Sequence, residues 1–80
     1  MNKLKFLPDL YPRSPIIEVY GDGYMLIEGC QGILIYDPCY IKLALQKTVF
    51  EVSGTNLTLQ HLTPTCAGIS GKIASMAFGE

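Results

Sequence analysis

The stretch from Ile16 to Leu45, IIEVYGDGYMLIEGCQGILIYDPCYIKLAL, consists of four short apolar runs cut by Gly-Asp-Gly, Gly-Cys-Gln-Gly and Asp-Pro-Cys. None of these runs approaches the roughly 10 to 14 residues of an ordinary helix. Turn-forming residues spaced this closely favour short strands laid beside one another, although the Ala, Leu and Lys content of Tyr40 to Gln46 would also tolerate a helical turn. Ile17 and Val19 alternate with Glu18, and Gly21-Asp22-Gly23 supplies the positive-φ positions of a tight hairpin into Tyr24 to Glu28. Gly29 and Gly32 bracket a second turn, and Ile33 to Tyr36 follows as a third strand. Asp37-Pro38 marks the next turn, because proline presets φ and an aspartate can bond the backbone two residues on.

The second half continues the pattern. Tyr40 to Gln46 is the cleanest alternation in the chain, with Ile41, Leu43 and Leu45 on one face and Lys42, Ala44 and Gln46 on the other. Thr48 to Ser53 puts Phe50 and Val52 on one side, and Gly54-Thr55 is expected to turn into Asn56 to Gln60. His61 to Gly68, with Thr63-Pro64-Thr65, reads as a loop, after which Ile69 and Ile73 to Phe78 form a closing strand or pair. The expected fold is all-β, with about seven short strands in an antiparallel meander or roll. Val19-Tyr20-Gly21, Val52-Ser53-Gly54 and Ile69-Ser70-Gly71 share a β-branched, any residue, glycine pattern, which makes a short stacked β-solenoid-like sheet the alternative.

Eighty residues suffice for one core and no more, so residues 16–80 are read as a single small domain. Residues 1–15 are read as a leader whose prolines at 8, 12 and 15 argue against a continuous helix and for an extended segment or short turn. Leu4, Leu7, Leu10 and Tyr11, flanked by Lys3 and Lys5, would suit a membrane surface. The preferred reading is that this segment folds over an open edge of the core. No apolar run is long enough to span a bilayer, and no secretory leader is recognised, so the chain is read as cytoplasmic, with peripheral membrane association as a variant.

Charge and chemistry narrow the function. A formal net charge of −1 provides no basic field for phosphates, which argues against nucleic acid as a partner. Three cysteines, Cys30, Cys39 and Cys66, are an odd number without zinc-site spacing, and fit free thiols in a reducing compartment. His61 and Cys66, five positions apart, lack the further ligands or orienting groups that a metal site or a thiol enzyme needs. Asp22 and Asp37 stand where turns favour aspartate, and Glu28 where a strand meets solvent, so they do not form an acid and base set. The glycines at 21, 23, 29 and 32 precede no helix and are not a phosphate loop. Tyrosines 20, 24, 36 and 40 have no basic groove beside them in which to stack bases. The expectation is therefore a non-enzymatic protein, with no catalytic, metal or cofactor residues and no small-molecule substrate.

What the sequence does offer is apolar surface. Only 16% of residues are charged against 49% hydrophobic, whereas globular domains carry roughly 25% charged residues. Tyr24, Leu26, Ile33 and Ile35 share one parity and Met25, Ile27, Leu34 and Tyr36 the other, so the second and third runs are apolar on both faces. Strands of that kind ask to be covered, which points to a homo-oligomer or a protein partner. Tyr24, Leu26, Leu34 and Tyr36 are the candidate contact residues.

The chain also resembles a known family. Leu7-Pro8 with Asp9-Leu10, Ile16 to Gly21, Leu26-Ile27-Glu28, Gly32-Ile33-Leu34 with Tyr36, Ile41 with Leu43, Val52-Ser53-Gly54 with Leu57 and Leu59, and Ile69-Ser70-Gly71 with Ile73 and Phe78 resemble the YabP/YqfC family of small sporulation proteins. The likeness runs along almost the whole chain, and its order of elements is closer to the YqfC branch. Members commonly have Asn-His-Arg-Gly where this chain reads Gly29-Cys30-Gln31-Gly32, so the most polar part of the family pattern is missing here. The resemblance implies production during sporulation in the mother cell, beside membrane proteins of engulfment or cortex formation, and implies no enzymatic activity.

Overall fold

A computed structural model describes residues 15–79, and they contain six strands and no helix. The strands are β1 (Ile16–Tyr20), β2 (Tyr24–Glu28), β3 (Gly32–Asp37), β4 (Tyr40–Ala44), β5 (Val49–Gln60) and β6 (Cys66–Gly79). They form one sheet in the order β1-β2-β6-β5-β4-β3, and every pairing is antiparallel. The expected all-β antiparallel fold is present, with six strands rather than about seven. The leader's residues 1–14, and with them the expectations about edge covering and membrane docking, lie outside the described residues.

The lower count has a specific cause. Gly54-Thr55 is not a turn, because the residues on both sides of it pair with the same long partner, β6. The register slips between Ser53 and Gly54 and again between Thr55 and Thr58, so the glycine marks a bulged, bent strand rather than a reversal. A side chain at Gly54 would run into the Lys72 carbonyl, and one at Gly71 (φ +125°) into that of Asn56. Asn56 itself takes a left-handed conformation (φ 54°), which asparagine tolerates better than most residues. Two of the three glycine-containing repeats are thus the bends of one long hairpin. The third, Gly21 (φ 66°), is the tight turn between β1 and β2.

The sheet cannot be flat. The β2 and β3 strands stand four intervals apart in the sheet order, about 19 Å at the usual strand spacing. Yet they are joined by Gly29 to Gln31 alone, a link that reaches at most about 14 Å from Glu28 to Gly32. The connection holds the two ends together: the Gly29 and Cys30 amides both donate to the Thr65 carbonyl, at 2.8 and 3.1 Å, and the Gln31 amide donates to Ala44 at 2.7 Å. The long β5–β6 hairpin therefore folds over at its bulges. Its two halves belong to two packed layers, β1-β2 with the near half of β6 and the far half of β5, against β3-β4 with the remaining halves.

Between the layers lies the core. Met25 and Ile27 of β2, Ile41 and Leu43 of β4, Phe50 and Val52 of β5, and Ala67 and Ile69 of β6 are almost completely enclosed, joined by Leu57, Leu45 and Cys30. Each pair within a strand is two residues apart, so one face of every contributing strand points inward. No polar or charged side chain is buried among the described residues.

Candidate interaction surface

Local turn chemistry positions β3. The Asp37 side chain accepts a hydrogen bond from the Cys39 amide (3.0 Å), as its place before Pro38 suggested, and closes the hairpin into β4. The Pro38 and Cys39 carbonyls then accept from the Leu57 and Gly54 amides of β5, at 2.8 and 3.1 Å. The Tyr36 hydroxyl accepts from the Leu59 amide at 3.1 Å. These bonds tie the end of β3 onto the half of β5 that β4 does not reach.

Strict alternation fails in this strand. Ile33 pairs with Leu43 and Tyr36 with Ile41, both core-facing, while Ile35 pairs with Lys42, and the register shifts between Ile33 and Ile35. The bulge at Leu34 thus places Ile33 and Tyr36 on the same face, although their sequence parity separates them. All four side chains from Ile33 to Tyr36 are between 38% and 53% exposed. With β3 at the sheet margin, this is a continuous run of large apolar residues in contact with water.

The four candidate contact residues fall into two pairs. Leu34 and Tyr36 are exposed on β3. Tyr24 and Leu26 are half-buried on β2, which lies between β1 and β6 in the sheet order, and face away from Met25 and Ile27. The Tyr24 ring lies across Gly68 of β6, where any side chain would collide with its hydroxyl. Sequence reasoning did not name Val19, Met76 and Phe78 as contact residues, yet they are also exposed. Met76 and Phe78 pair with the core residues Val52 and Phe50, and the Phe78 and Phe50 rings are 5.1 Å apart. The alternation Ile73, Ser75, Ala77 against Ala74, Met76, Phe78 was visible, but nothing local says which part of a long strand loses its cover.

The polar candidates do not converge. His61 is exposed at the end of β5 in a left-handed conformation (φ 49°), and Cys66 opens β6 after a turn in which the Thr63 hydroxyl accepts from its amide (2.9 Å). Cys30 is buried and donates to the Gly32 carbonyl (3.5 Å), whereas Cys39 is exposed, and all three thiols are free. Among the described residues no group of three or more His, Cys, Asp or Glu side chains could hold a metal ion. A shallow depression of about 220 Å³, lined by Gly29, Cys30, Gln31, Gln46, Pro64 and Thr65, is smaller than the roughly 300 Å³ at which ligand pockets begin and contains no charged group. No helix among the described residues is long and apolar enough to cross a membrane.

The comparison that decides the family covers most of the chain: the model of the YabP family matches residues 13–80. The chain belongs to the YabP family. No curated protein matches it, and no solved structure does either. Within the YabP family, the matched region takes in all six strands, from the β1 hairpin to the end of β6. Membership in the YabP family is consistent with a role connected with sporulation.

Proposed function

We propose that this YabP-family protein is a non-enzymatic assembly or adaptor protein of endospore formation, acting in the mother-cell cytoplasm by self-association or by docking on a sporulation membrane protein. The observation that carries the reading is the exposed apolar run Ile33-Leu34-Ile35-Tyr36 on the marginal strand β3. Proteins usually blunt such a margin with charge, proline or a bulge. Here the bulge falls within the run, while charge and proline, Asp37 and Pro38, come only at its end and do not interrupt it. A bulged edge is poorly shaped for backbone pairing with another strand, so the side chains of Leu34 and Tyr36 are the contact elements, with Tyr24 and Leu26 as a second patch.

The test is sedimentation or size-exclusion analysis of the full chain beside Leu34→Lys and Tyr36→Ala. A charge at Leu34 should abolish association while the fold, read by circular dichroism, persists. Truncating Tyr36 should weaken association by about 1–3 kcal/mol if it is an anchor. Association that is unchanged in both variants, and in Tyr24→Ala and Leu26→Ala, would rule this surface out.

A further inference from the structure

The layer made of β3, β4, the first half of β5 and the outer half of β6 leaves its core-facing side bare at both margins. At one margin, Ile33 and Tyr36 of β3 pair with the enclosed Leu43 and Ile41, and are 38% and 52% exposed. At the other, Met76 and Phe78 of β6 pair with the enclosed Val52 and Phe50, and are 43% and 61% exposed. The β2 strand pairs with β6 from Cys66 to Ser70, and the last bond on that side runs from the Ile73 amide to the Asp22 carbonyl. Among the described residues no strand pairs with residues 74–79 on the side away from β5. Neither Ile33 to Tyr36 nor Ile73 to Gly79 contains a charged residue.

The strands of this layer alternate in direction from β3 through β4 and β5 to β6, so its two margins run in opposite senses. A second copy moved sideways along the sheet, without turning over, brings its β3 antiparallel to the β6 margin of the first, with both core-facing sides on the same side. Ile33 and Tyr36 then continue the apolar stripe that ends at Met76 and Phe78. A contact of β3 on β3 would cover one margin and leave Phe78 in water. Area points the same way. With on the order of 200 Å² of surface on a large apolar side chain, the exposed fractions amount to about 350 Å² on the β3 run and about 200 Å² at Met76 and Phe78. A stable pair takes about 800 Å² from each copy, a little over half of it apolar. The β3 run alone falls short of that apolar share, whereas the two margins together reach it, so a copy is covered to the usual extent once it has a neighbour at each margin.

We propose that copies of this chain assemble head to tail, with Ile33, Leu34 and Tyr36 of one seated against Met76 and Phe78 of the next. Such a contact joins unlike surfaces and leaves a free margin at each end, so it grows into open chains rather than closing as a pair. The β3 bulge breaks the ladder, and side chains rather than an unbroken row of backbone bonds hold the copies together. The arrangement rests on β3 being a contact surface, as read above, and adds what β3 touches.

Complementation between two variants of the full chain tests it. Met76→Lys spoils the β6 margin and keeps β3, Leu34→Lys does the reverse, and the two lysines cannot pair with each other. Circular dichroism establishes that both variants are folded. In light scattering at tens of micromolar, each variant alone should have the mass of one 8.8 kDa chain. An equimolar mixture should rise to two chains and stop there, because the spoiled margins cap both ends. Met76→Lys that associates like the unaltered chain, or a mixture that stays at one chain, would overturn the head-to-tail arrangement and leave association through β3 standing. An unaltered chain of single mass would overturn this proposal together with self-association through β3. Photo-crosslinking gives a second reading without a charge in the sheet: benzoylphenylalanine replaces Phe78, and unlabelled and ¹⁵N-labelled protein are mixed so that mass spectrometry identifies links between chains. The expected products join position 78 to residues 32–37 of another chain. Links between chains that miss β3, or none between chains, would overturn the proposal.

Discussion

Gly54 and Gly71 show how much a single position can decide in a sheet this small. Each lies where one strand of the β5–β6 hairpin presses on the other, and Gly71 in addition holds a φ that side-chain-bearing residues rarely adopt. Gly54→Ala and Gly71→Ala should each cost about 2–4 kcal/mol in urea unfolding, whereas Gly32→Ala, with open space around it, should cost less than about 0.5 kcal/mol. Equal losses at all three positions would contradict the bend. The sequence showed a glycine at 54 but not its use, because a turn and a bulge begin with the same residue, and only the distant partner β6 tells them apart. Asp37 was readable because its bond to Cys39 is local. A second test at this scale concerns Tyr40, whose phenol is raised above the ordinary tyrosine value, first by desolvation and then by the Glu51 carboxylate. A folded pKa above the unfolded one means that the associated stability is complete below the unfolded value and lost as pH rises through the folded one. Glu51→Gln should lower the Tyr40 ionisation midpoint, read as the difference between spectrophotometric titrations with and without Tyr40→Phe. No downward movement would show that Glu51 has no part in it.

At the scale of the element, β4 and β3 make a contrast. Tyr40 to Ala44 alternates without interruption and is buried as the sequence says, with Ile41 and Leu43 enclosed and Lys42 turned outward. The third strand has the same kind of composition, but its bulge places Ile33 and Tyr36 on one face against their parity. Period-two reasoning assumes an unbroken ladder, so it failed where one residue was inserted. The candidate residues Leu34 and Tyr36 are exposed nonetheless, while Tyr24 and Leu26 share β2 with the most deeply enclosed part of the core. Substitutions on β3 should therefore separate association from stability. Ile35→Lys, on the same outer face as Lys42, should shift the urea midpoint by less than about 1 kcal/mol in equivalent stability. A larger loss would mean that β3 is part of the fold's support rather than a contact surface.

The whole molecule is small for the apolar surface it has. At 0.05–0.15 kcal/mol per residue, 80 residues should be stable by about 4–12 kcal/mol. Phe50 is enclosed in the core and its ring packs at a tilt against that of Phe78, so Phe50→Ala should remove about 3–5 kcal/mol and leave the chain near or below its folding threshold in thermal unfolding. A mild shift of the transition would place the core elsewhere. Composition indicated this excess of apolar surface, and among the described residues ten large apolar side chains are exposed, including Ile16, Tyr20 and Leu62 as well as the β3 run. The sheet order could not be foreseen, because the insertion of β6 between β2 and β5 joins residues from opposite ends of the chain. The central claim is that this surface is covered by other molecules through β3, and light scattering coupled to size exclusion of the full chain, from low to tens of micromolar, tests it most directly. The account predicts a mass above that of one 8.8 kDa chain that rises with concentration and returns to one chain in Leu34→Lys. A single-chain mass throughout, with no purified sporulation membrane protein bound at β3, would contradict it.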